Sequence, residues 1–376
     1  MNHLNKIREN DLIKRLSTRL SLLTLSRQIT LMEVCGTHTM AIHRAGLPSL
    51  FPLNLNVISG PGCPVCVTPA SYIDRALAMA REHDVVIATF GDMMRVPGNT
   101  GTLAELRGRG YPVEIVYSPL GAVEFARNNP ERPVVFLAVG FETTAPAVAA
   151  TVQNVRAQQI TNFCILSAHK LIIPALKALL YDPETAIDGF ILPGHVSVVI
   201  GSEPYRFIAD AYDRACVIIG FETADVIQGI LMLTDQVERQ KYSVEIQYKR
   251  AVKPGGNAQA KKFMEEVFIP TDTKWRGFGT IPESGLALRE NYADFDAEIR
   301  FPVAVTEQPE PTGCLCSEVL RGHVKPTDCQ LFSTVCTPHN PVGPCMVSNE
   351  GTCAAFHKYS RKRGAHNDGS ENSLSR

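Results

Sequence analysis

Three cysteines near the start of the chain have the surroundings of reactive thiols. Cys35 lies in MEVCGTHT, and His38 follows it closely enough to lower the pKa of the thiol or to share a metal ion with it. Cys63 and Cys66 form a Cys-Pro-Val-Cys sequence behind a Gly-Pro-Gly turn, which is typical of redox-active dithiols in cytosolic α/β proteins. These residues predict a metal or thiol-redox site, with half of a zinc site as the alternative for the Cys63/Cys66 pair.

A second group of cysteines lies towards the end of the chain. Six of the 11 cysteines fall between positions 314 and 353, at irregular spacings. Structural zinc sites usually use two close pairs, whereas a cubane iron–sulfur cluster accepts uneven spacing. The expected cluster ligands are Cys316, Cys329, Cys336 and Cys353. Cys314 and Cys345 are alternates, and a zinc site or buried thiols remain the alternative interpretation.

Polar residues also follow several apolar runs. Glu142, Thr143 and Thr144 come directly after one predicted strand, Asp92 after another, and His195 after a third. In open α/β sheets, ligands bind beyond the carboxyl ends of the strands. We therefore expect these side chains at a binding site, although a purely structural role is the alternative for each of them.

Short apolar runs alternate with helical segments over much of the chain, which predicts βαβ units on parallel sheets. Residues 4–28 have the leucine and isoleucine spacing of amphipathic helices. The sequence Gly-Phe-Glu-Thr occurs at 140–143 and again at 220–223, which indicates either a duplicated α/β unit or a chance match. The predicted apolar strands are LNVIS, DVVIAT, PVEIV, PVVFLAVG, FCILSAH, GFILP and CVIIG.

Composition narrows the class of protein. The chain has 376 residues, is 45% hydrophobic and carries a net charge of −1, which gives no reason to expect a nucleic-acid or anionic-membrane partner. We see neither a signal-peptide core nor a long apolar span, and expect a cytoplasmic protein without a disulfide framework. Cys164 and Cys216 lie in apolar runs and are expected in the core.

The pattern predicts five segments along the chain. The helical start and the Cys35 motif occupy the first, two α/β units the next two, and a cysteine-rich unit and a disordered polar tail the last two. Their expected bounds are 1–55, 56–145, 146–240, 241–359 and 360–376.

Five motifs together resemble the HypD family of [NiFe]-hydrogenase maturation proteins. They are MEVCGTHT, SGPGCPVCVTP, GFETTAP, LPGHVS and PVGPCMVSNEGTCAAF, in this order between about residues 30 and 359. The resemblance implies a fold with two Rossmann-like α/β domains that have parallel sheets, plus a smaller Cys-rich domain that holds a [4Fe–4S] cluster. It implies a scaffold for the Fe(CN)2CO moiety, more an assembly protein than an ordinary turnover enzyme, with a HypC-type chaperone and a HypE-type cyanide donor as partners.

The resemblance also assigns roles to residues. Cys35 corresponds to the iron-site cysteine of the family, Cys63 and Cys66 to its redox-active pair, and the late cysteines to its cluster ligands. Both Cys314 and Cys316 remain candidates for one ligand position. An iron–sulfur-dependent thiol-disulfide oxidoreductase is the alternative function, and a zinc-stapled interaction protein is a second alternative.

Overall fold

The computed structural model describes residues 3–182, 186–309 and 311–360. Most strands of these ranges follow the apolar runs of the sequence. The strands are β1 (Ile29–Glu33), β2 (Leu55–Ser59), β3 (Val86–Thr89), β4 (Val113–Ile115), β5 (Val134–Gly140), β6 (Phe163–His169), β7 (Gly189–Pro193), β8 (Ala215–Ile219), β9 (Val244–Ile246), β10 (Phe268–Trp275) and β11 (Gly279–Leu288).

Helices connect and cover these strands. They are α1 (His3–Ser21), α2 (Gly36–Arg44), α3 (Pro64–Val67), α4 (Ala70–Glu82), α5 (Leu103–Gly108), α6 (Pro119–Asn128), α7 (Ala145–Ala157), α8 (Ile172–Leu180), α9 (Gly194–Ile200), α10 (Arg206–Tyr212), α11 (Thr223–Arg239), α12 (Ala258–Val267), α13 (Ala297–Arg300), α14 (Cys316–Arg321) and α15 (Thr352–Ser360). No helix within the described ranges combines the length and the apolar character that crossing a bilayer requires.

Two parallel sheets form the body of the protein. Sheet A has the strand order β2-β1-β7-β8-β9, and sheet B has the order β4-β3-β5-β6. Strands β5, β7 and β8 are buried along their whole length, because helices and loops cover both faces of each sheet. Strands β10 and β11 form a separate antiparallel pair. The expected α/β fold with parallel sheets and a cysteine-rich C-terminal part is confirmed.

The sheets are not built from consecutive segments as the predicted division assumes. Sheet A combines β1 and β2, between 29 and 59, with β7 to β9, between 189 and 246. The chain between them builds sheet B, which includes β6, although 163–169 was expected in the second α/β unit. Apolar runs predict that strands exist, but the pairing of strands depends on the path of the chain through space.

The C-terminal part packs onto both sheets. Helix α15 packs against α2, and α14 lies against β2. Cys164 and Cys216 are fully buried, as predicted. The predicted disordered tail lies outside the described residues except for Ser360, which ends α15.

Candidate functional site

A cleft of about 590 Å³ lies between the carboxyl ends of the two sheets. In each sheet the strand order changes direction nearby, between β1 and β7 in sheet A and between β3 and β5 in sheet B. Such switch points leave a crevice because the connections on either side diverge. From sheet A the lining residues include Cys35, Gly62, Pro193 and His195. From sheet B they include Gly91, Asp92, Tyr117, Thr143 and Thr144.

Cys35 caps the N-terminus of α2 at the floor of this cleft. Its backbone is extended, and its N–H donates to Oε2 of Glu33 at 3.0 Å. Burial, with smaller contributions from Glu350 and Glu33, raises the pKa of the Cys35 thiol to about 12. The His38 backbone N–H lowers this pKa, as expected of His38, but burial outweighs its effect. A metal ion that binds the sulfur must therefore displace a firmly held proton.

His38 is buried below the cleft and is not among the residues that line it. Its Nε2 lies 3.2 Å from the Ile219 carbonyl and 3.1 Å from the Gly220 carbonyl. Carbonyl oxygens only accept hydrogen bonds, so Nε2 carries the proton, and the lone pair of buried Nδ1 has no hydrogen-bond partner. Burial lowers the pKa of His38 to about 4, which keeps the ring neutral. A neutral imidazole with a vacant acceptor can bind a metal or a thiol proton.

A stack of three rings connects His38 with the cleft. The ring of Phe221 packs on His38 at 4.7 Å and on His195 at 3.9 Å between centroids. His195 is exposed to the cleft, and partial burial lowers its pKa. Phe221 belongs to the second Gly-Phe-Glu-Thr sequence, so this motif supports the site although the sequence analysis assigned it no such role.

Cys63 and Cys66 are joined by a disulfide next to Cys35. Gly62 lies so close to Cys35 that a Cβ atom there would be 2.1 Å from the Cys35 backbone nitrogen. Cys63 is the N-cap of the short helix α3, and its sulfur accepts from the Cys66 N–H at 3.3 Å. Helix α3 ends at Val67, and α4 begins at Ala70 after a short break. The disulfide thus sits at the start of α3, a four-residue helix.

The residues of the Gly-Phe-Glu-Thr-Thr segment after β5 have different roles. Thr143 and Thr144 line the cleft, as expected. Glu142 points into the core instead, where Oε1 accepts from the Ile172 N–H at 2.9 Å and Oε2 has no partner. Burial raises the pKa of Glu142 to about 7. Its contact orients α8 against the end of β5.

Sequence reasoning missed two lining residues from distant parts of the chain. Glu350 accepts from Thr37 Oγ1 at 2.6 Å and so reaches the first turn of α2. Tyr117 is 96% exposed although it lines the cleft, which places an aromatic ring at its mouth. Glu350 lies in SNEGTC, which belongs to the last of the five motifs, and this was the available signal for that residue. Tyr117 follows β4, at the same sheet edge as the predicted residues.

All six late cysteines line one small apolar pocket. Its other walls come from Leu315, Val319, Leu331, Phe332, Gly343 and Met346. The sulfur atoms of Cys316 and Cys345 are 2.7 Å apart. Hydrogen bonding with Cys314 and Cys345 holds the pKa of Cys316 well below that of an ordinary thiol, and the pKa of Cys345 is raised in turn.

The donor set of this pocket fits a cluster. Across the described ranges, no three His, Cys, Asp or Glu side chains are arranged around a single metal ion. The pocket offers thiols in an apolar surrounding, and a [4Fe–4S] cluster takes four cysteine thiolates around a body larger than one ion. Cys316, Cys329, Cys336 and Cys353, the predicted ligands, all lie in the wall.

One hydrophobic cluster connects the disulfide with the cysteine pocket. Its buried members include Cys63, Cys66, Cys316 and Cys345, and Cys314 and Cys353 pack against it. Trp275 and Phe141 lie in the same cluster, with ring centroids 5.9 Å apart. The disulfide and the cysteine pocket therefore share one apolar core.

Comparison with known proteins agrees with this arrangement. The family model described as "HypD: Hydrogenase formation hypA family" matches residues 10–360. The "Hydrogenase maturation factor HypD" of Cupriavidus necator is 44% identical over 370 residues, covering 96% of this chain and 98% of the relative.

Two further relatives have similar sequence identity and coverage. The "Hydrogenase maturation factor HypD" of Escherichia coli is 45% identical over 351 residues, 93% of this chain and 94% of its own. "Hydrogenase maturation factor HypD2" of Bradyrhizobium diazoefficiens is 45% identical over 340 residues, 88% of this chain and 90% of its own. With near-complete coverage in both directions and the cysteine arrangement described above, the chain belongs to the HypD family.

Proposed function

We propose that the chain is a hydrogenase maturation factor that serves as the scaffold for the Fe(CN)2CO moiety of [NiFe]-hydrogenases in the cytoplasm. The names of relatives with 44–45% identity support the maturation role. The observation that carries the chemical part is that the cleft thiol Cys35 lies beside the Cys63–Cys66 disulfide, which shares an apolar core with the six-cysteine pocket.

In this proposal, iron is the substrate and Cys35 holds it. Thiolate sulfur is a soft donor that suits low-spin iron with cyanide and carbonyl ligands. A cysteine of a HypC-type chaperone supplies a second thiolate from outside, which the open cleft admits. The neutral His38 ring orients or tunes this site through Nδ1, which has no hydrogen-bond partner. A HypE-type partner delivers cyanide to the iron from the cleft mouth.

The disulfide gives this chain a means of storing reducing equivalents. Reduction of the Cys63–Cys66 bond takes up two electrons and two protons and leaves two thiols beside Cys35. The thiols then return both electrons and protons when the bond forms again. Gly62 keeps this pair against the Cys35 backbone, so that the redox change occurs next to the bound iron.

The cysteine pocket is the proposed cluster site. Cys316, Cys329, Cys336 and Cys353 would hold a [4Fe–4S] cluster there. When bound, such a cluster supplies one-electron redox chemistry. Apolar side chains surround the sulfurs, and the shared hydrophobic cluster contains both Cys66 and Cys316.

Infrared spectroscopy of the anaerobically purified complex with a HypC-type partner tests the proposal. The wild-type complex is expected to show cyanide and carbonyl stretching bands, and Cys35→Ala is expected to lose them. Cys164→Ala, which removes a core thiol far from the cleft, is the matched control and should keep the bands. Bands that persist in Cys35→Ala would remove Cys35 from the role.

A second measurement separates the alternative function. A thiol-disulfide oxidoreductase would turn over a small disulfide substrate without any partner, and Cys35→Ala would leave that turnover intact. Metal analysis distinguishes the zinc alternative, since one zinc and no iron per chain would contradict the cluster site.

A further inference from the structure

The cysteine pocket contains more thiols than a cluster can bind. Six cysteines line it, whereas a cubane cluster takes four cysteine thiolates. The surplus is concentrated at one corner, where Cys345 lies 2.7 Å from Cys316 between their sulfur atoms. Both residues are nearly inaccessible to solvent, with exposed fractions of 1% and 5%. Two sulfurs this close together occupy the place of a single ligand, because the four thiolates of a cluster are spread around it.

The neighbouring contacts show that several residues pack specifically around this pair of thiols. Cys345 contacts the thiols of both Cys316 and Cys353. Gly343 makes room for the group, since a Cβ atom there would lie 2.9 Å from the Cys314 sulfur and 3.4 Å from Cys316 Cβ. By contrast, the Cys329 sulfur contacts the Gly313 carbonyl. Within the described residues, two spare thiols, Cys345 and Cys314, thus stand beside Cys316, and no thiol is seen to contact Cys329.

We propose that Cys345 is an interchangeable ligand that takes the coordination position of Cys316. This inference rests on the proposed cluster site. In the exchange, the Cys345 thiol loses a proton and its sulfur binds iron, while the Cys316 sulfur leaves the same iron and takes up a proton. One iron–sulfur bond forms, one breaks, and no electron is gained or lost.

The exchange has a consequence for the disulfide. Cys345 lies in a short helix, Pro344–Met346, that packs against α3, and α3 carries Cys66. Cys316 and Cys345 both belong to the hydrophobic cluster that contains Cys63 and Cys66. Whichever thiol is released therefore stays in the hydrophobic cluster that contains the disulfide, while four cysteines still bind the iron–sulfur cluster.

Iron and sulfide analysis of reconstituted variants, all made in a Cys314→Ala background because Cys314 also contacts Cys316, tests the inference. Cys316→Ala and Cys345→Ala are each expected to keep about four iron atoms per chain, as in wild type. The double variant is expected to lose most of them. Cys329→Ala is the matched control. Because Cys329 has no spare thiol in contact, this single substitution should be enough to lose the cluster. The electron paramagnetic resonance of the reduced Cys316→Ala protein should be shifted, because a different cysteine holds the cluster.

Alkylation of the wild-type holoprotein provides a test that does not depend on the folding of a variant. Comparison with the metal-free protein, which corrects for the burial of Cys316 and Cys345, should show that the cluster partly protects each of them and fully protects Cys329. Protection of Cys316 by the cluster without any protection of Cys345, or a Cys316→Ala protein as poor in iron as the double variant, would overturn the exchange. A wild-type chain that takes up no iron would instead overturn the cluster site itself.

Discussion

Thr37 and Glu350 are joined by a hydrogen bond from Oγ1 to Oε1 of 2.6 Å, although 313 residues separate them in the sequence. The contact fastens the first turn of α2 to the segment before α15. It also holds a carboxylate near Cys35, whose thiol pKa the Glu350 charge helps to raise. The reactivity of the cleft thiol therefore depends on the C-terminal part of the chain.

Glu350→Gln is expected to make Cys35 react faster with an alkylating agent at neutral pH. Removal of the carboxylate charge lowers the pKa of the thiol, and the thiolate fraction rises roughly tenfold for each pKa unit. Peptide mapping by mass spectrometry gives the rate at Cys35 itself. Thr37→Val, which keeps the Glu350 charge but removes the hydrogen bond, should have the smaller effect. Equal rates in Glu350→Gln and wild type would contradict the electrostatic coupling.

Gly62→Ala is expected to destabilise the protein by about 1–3 kcal/mol, the usual cost of forcing atoms into a packed position. The added Cβ would meet the Cys35 nitrogen at 2.1 Å and push the disulfide away from the cleft. Denaturant unfolding measures the change. Gly108→Ala is the control, because nothing lies within 4 Å of its Cβ position in α5. That variant should be as stable as wild type or more so.

Glu142 makes stability fall as pH rises from its unfolded pKa of 4.5 towards about 7. Below this window the carboxyl is protonated in both states; within it the unfolded chain ionises first, which favours unfolding. Glu142→Gln keeps the acceptor for Ile172 and should flatten the decline by up to about 1.4 kcal/mol per pH unit. Urea unfolding at several pH values measures this. Glu131→Gln, at an exposed carboxylate, should leave the slope unchanged.

Cys63→Ser is expected to abolish the redox step without removing the iron site. Titration of thiols before and after mild reduction should show two new thiols in wild type and none from this pair in the variant. The infrared bands of the complex should then fall, because the stored reducing equivalents are missing. Cys216→Ser controls for the loss of a buried thiol elsewhere. Undiminished infrared bands in Cys63→Ser would show that ligand delivery does not need the disulfide.

Strands β2 to β8 were predicted, because strands buried on both faces of a parallel sheet have continuous apolar sequences, as in 134–140. Strands β1, β9, β10 and β11 were missed. The pairing of the strands was not predicted. The runs at 163–169 and 189–193 are alike in composition, yet the first belongs to sheet B and the second to sheet A. Which sheet a run joins depends on contacts with distant strands, and no local pattern records them.

The candidate site shows the same limit. Cys35 was predicted from its motif, and Thr143 and His195 from their positions after strands; the structure brings all three to one cleft. The orientation of His38 towards the Ile219 carbonyl was missed, because that partner lies 181 residues away. Local spacing therefore identified the reactive groups but not the groups that hold them.

Sheet B interrupts sheet A in the chain, and this has a consequence for protein synthesis. When the ribosome has translated β6, sheet B has all its strands, whereas sheet A has only β1 and β2 and still waits for its central strands. The wall that Glu350 contributes emerges later still. A nascent polypeptide consequently lacks a finished pocket around Cys35 until the segment that carries Glu350 has been translated.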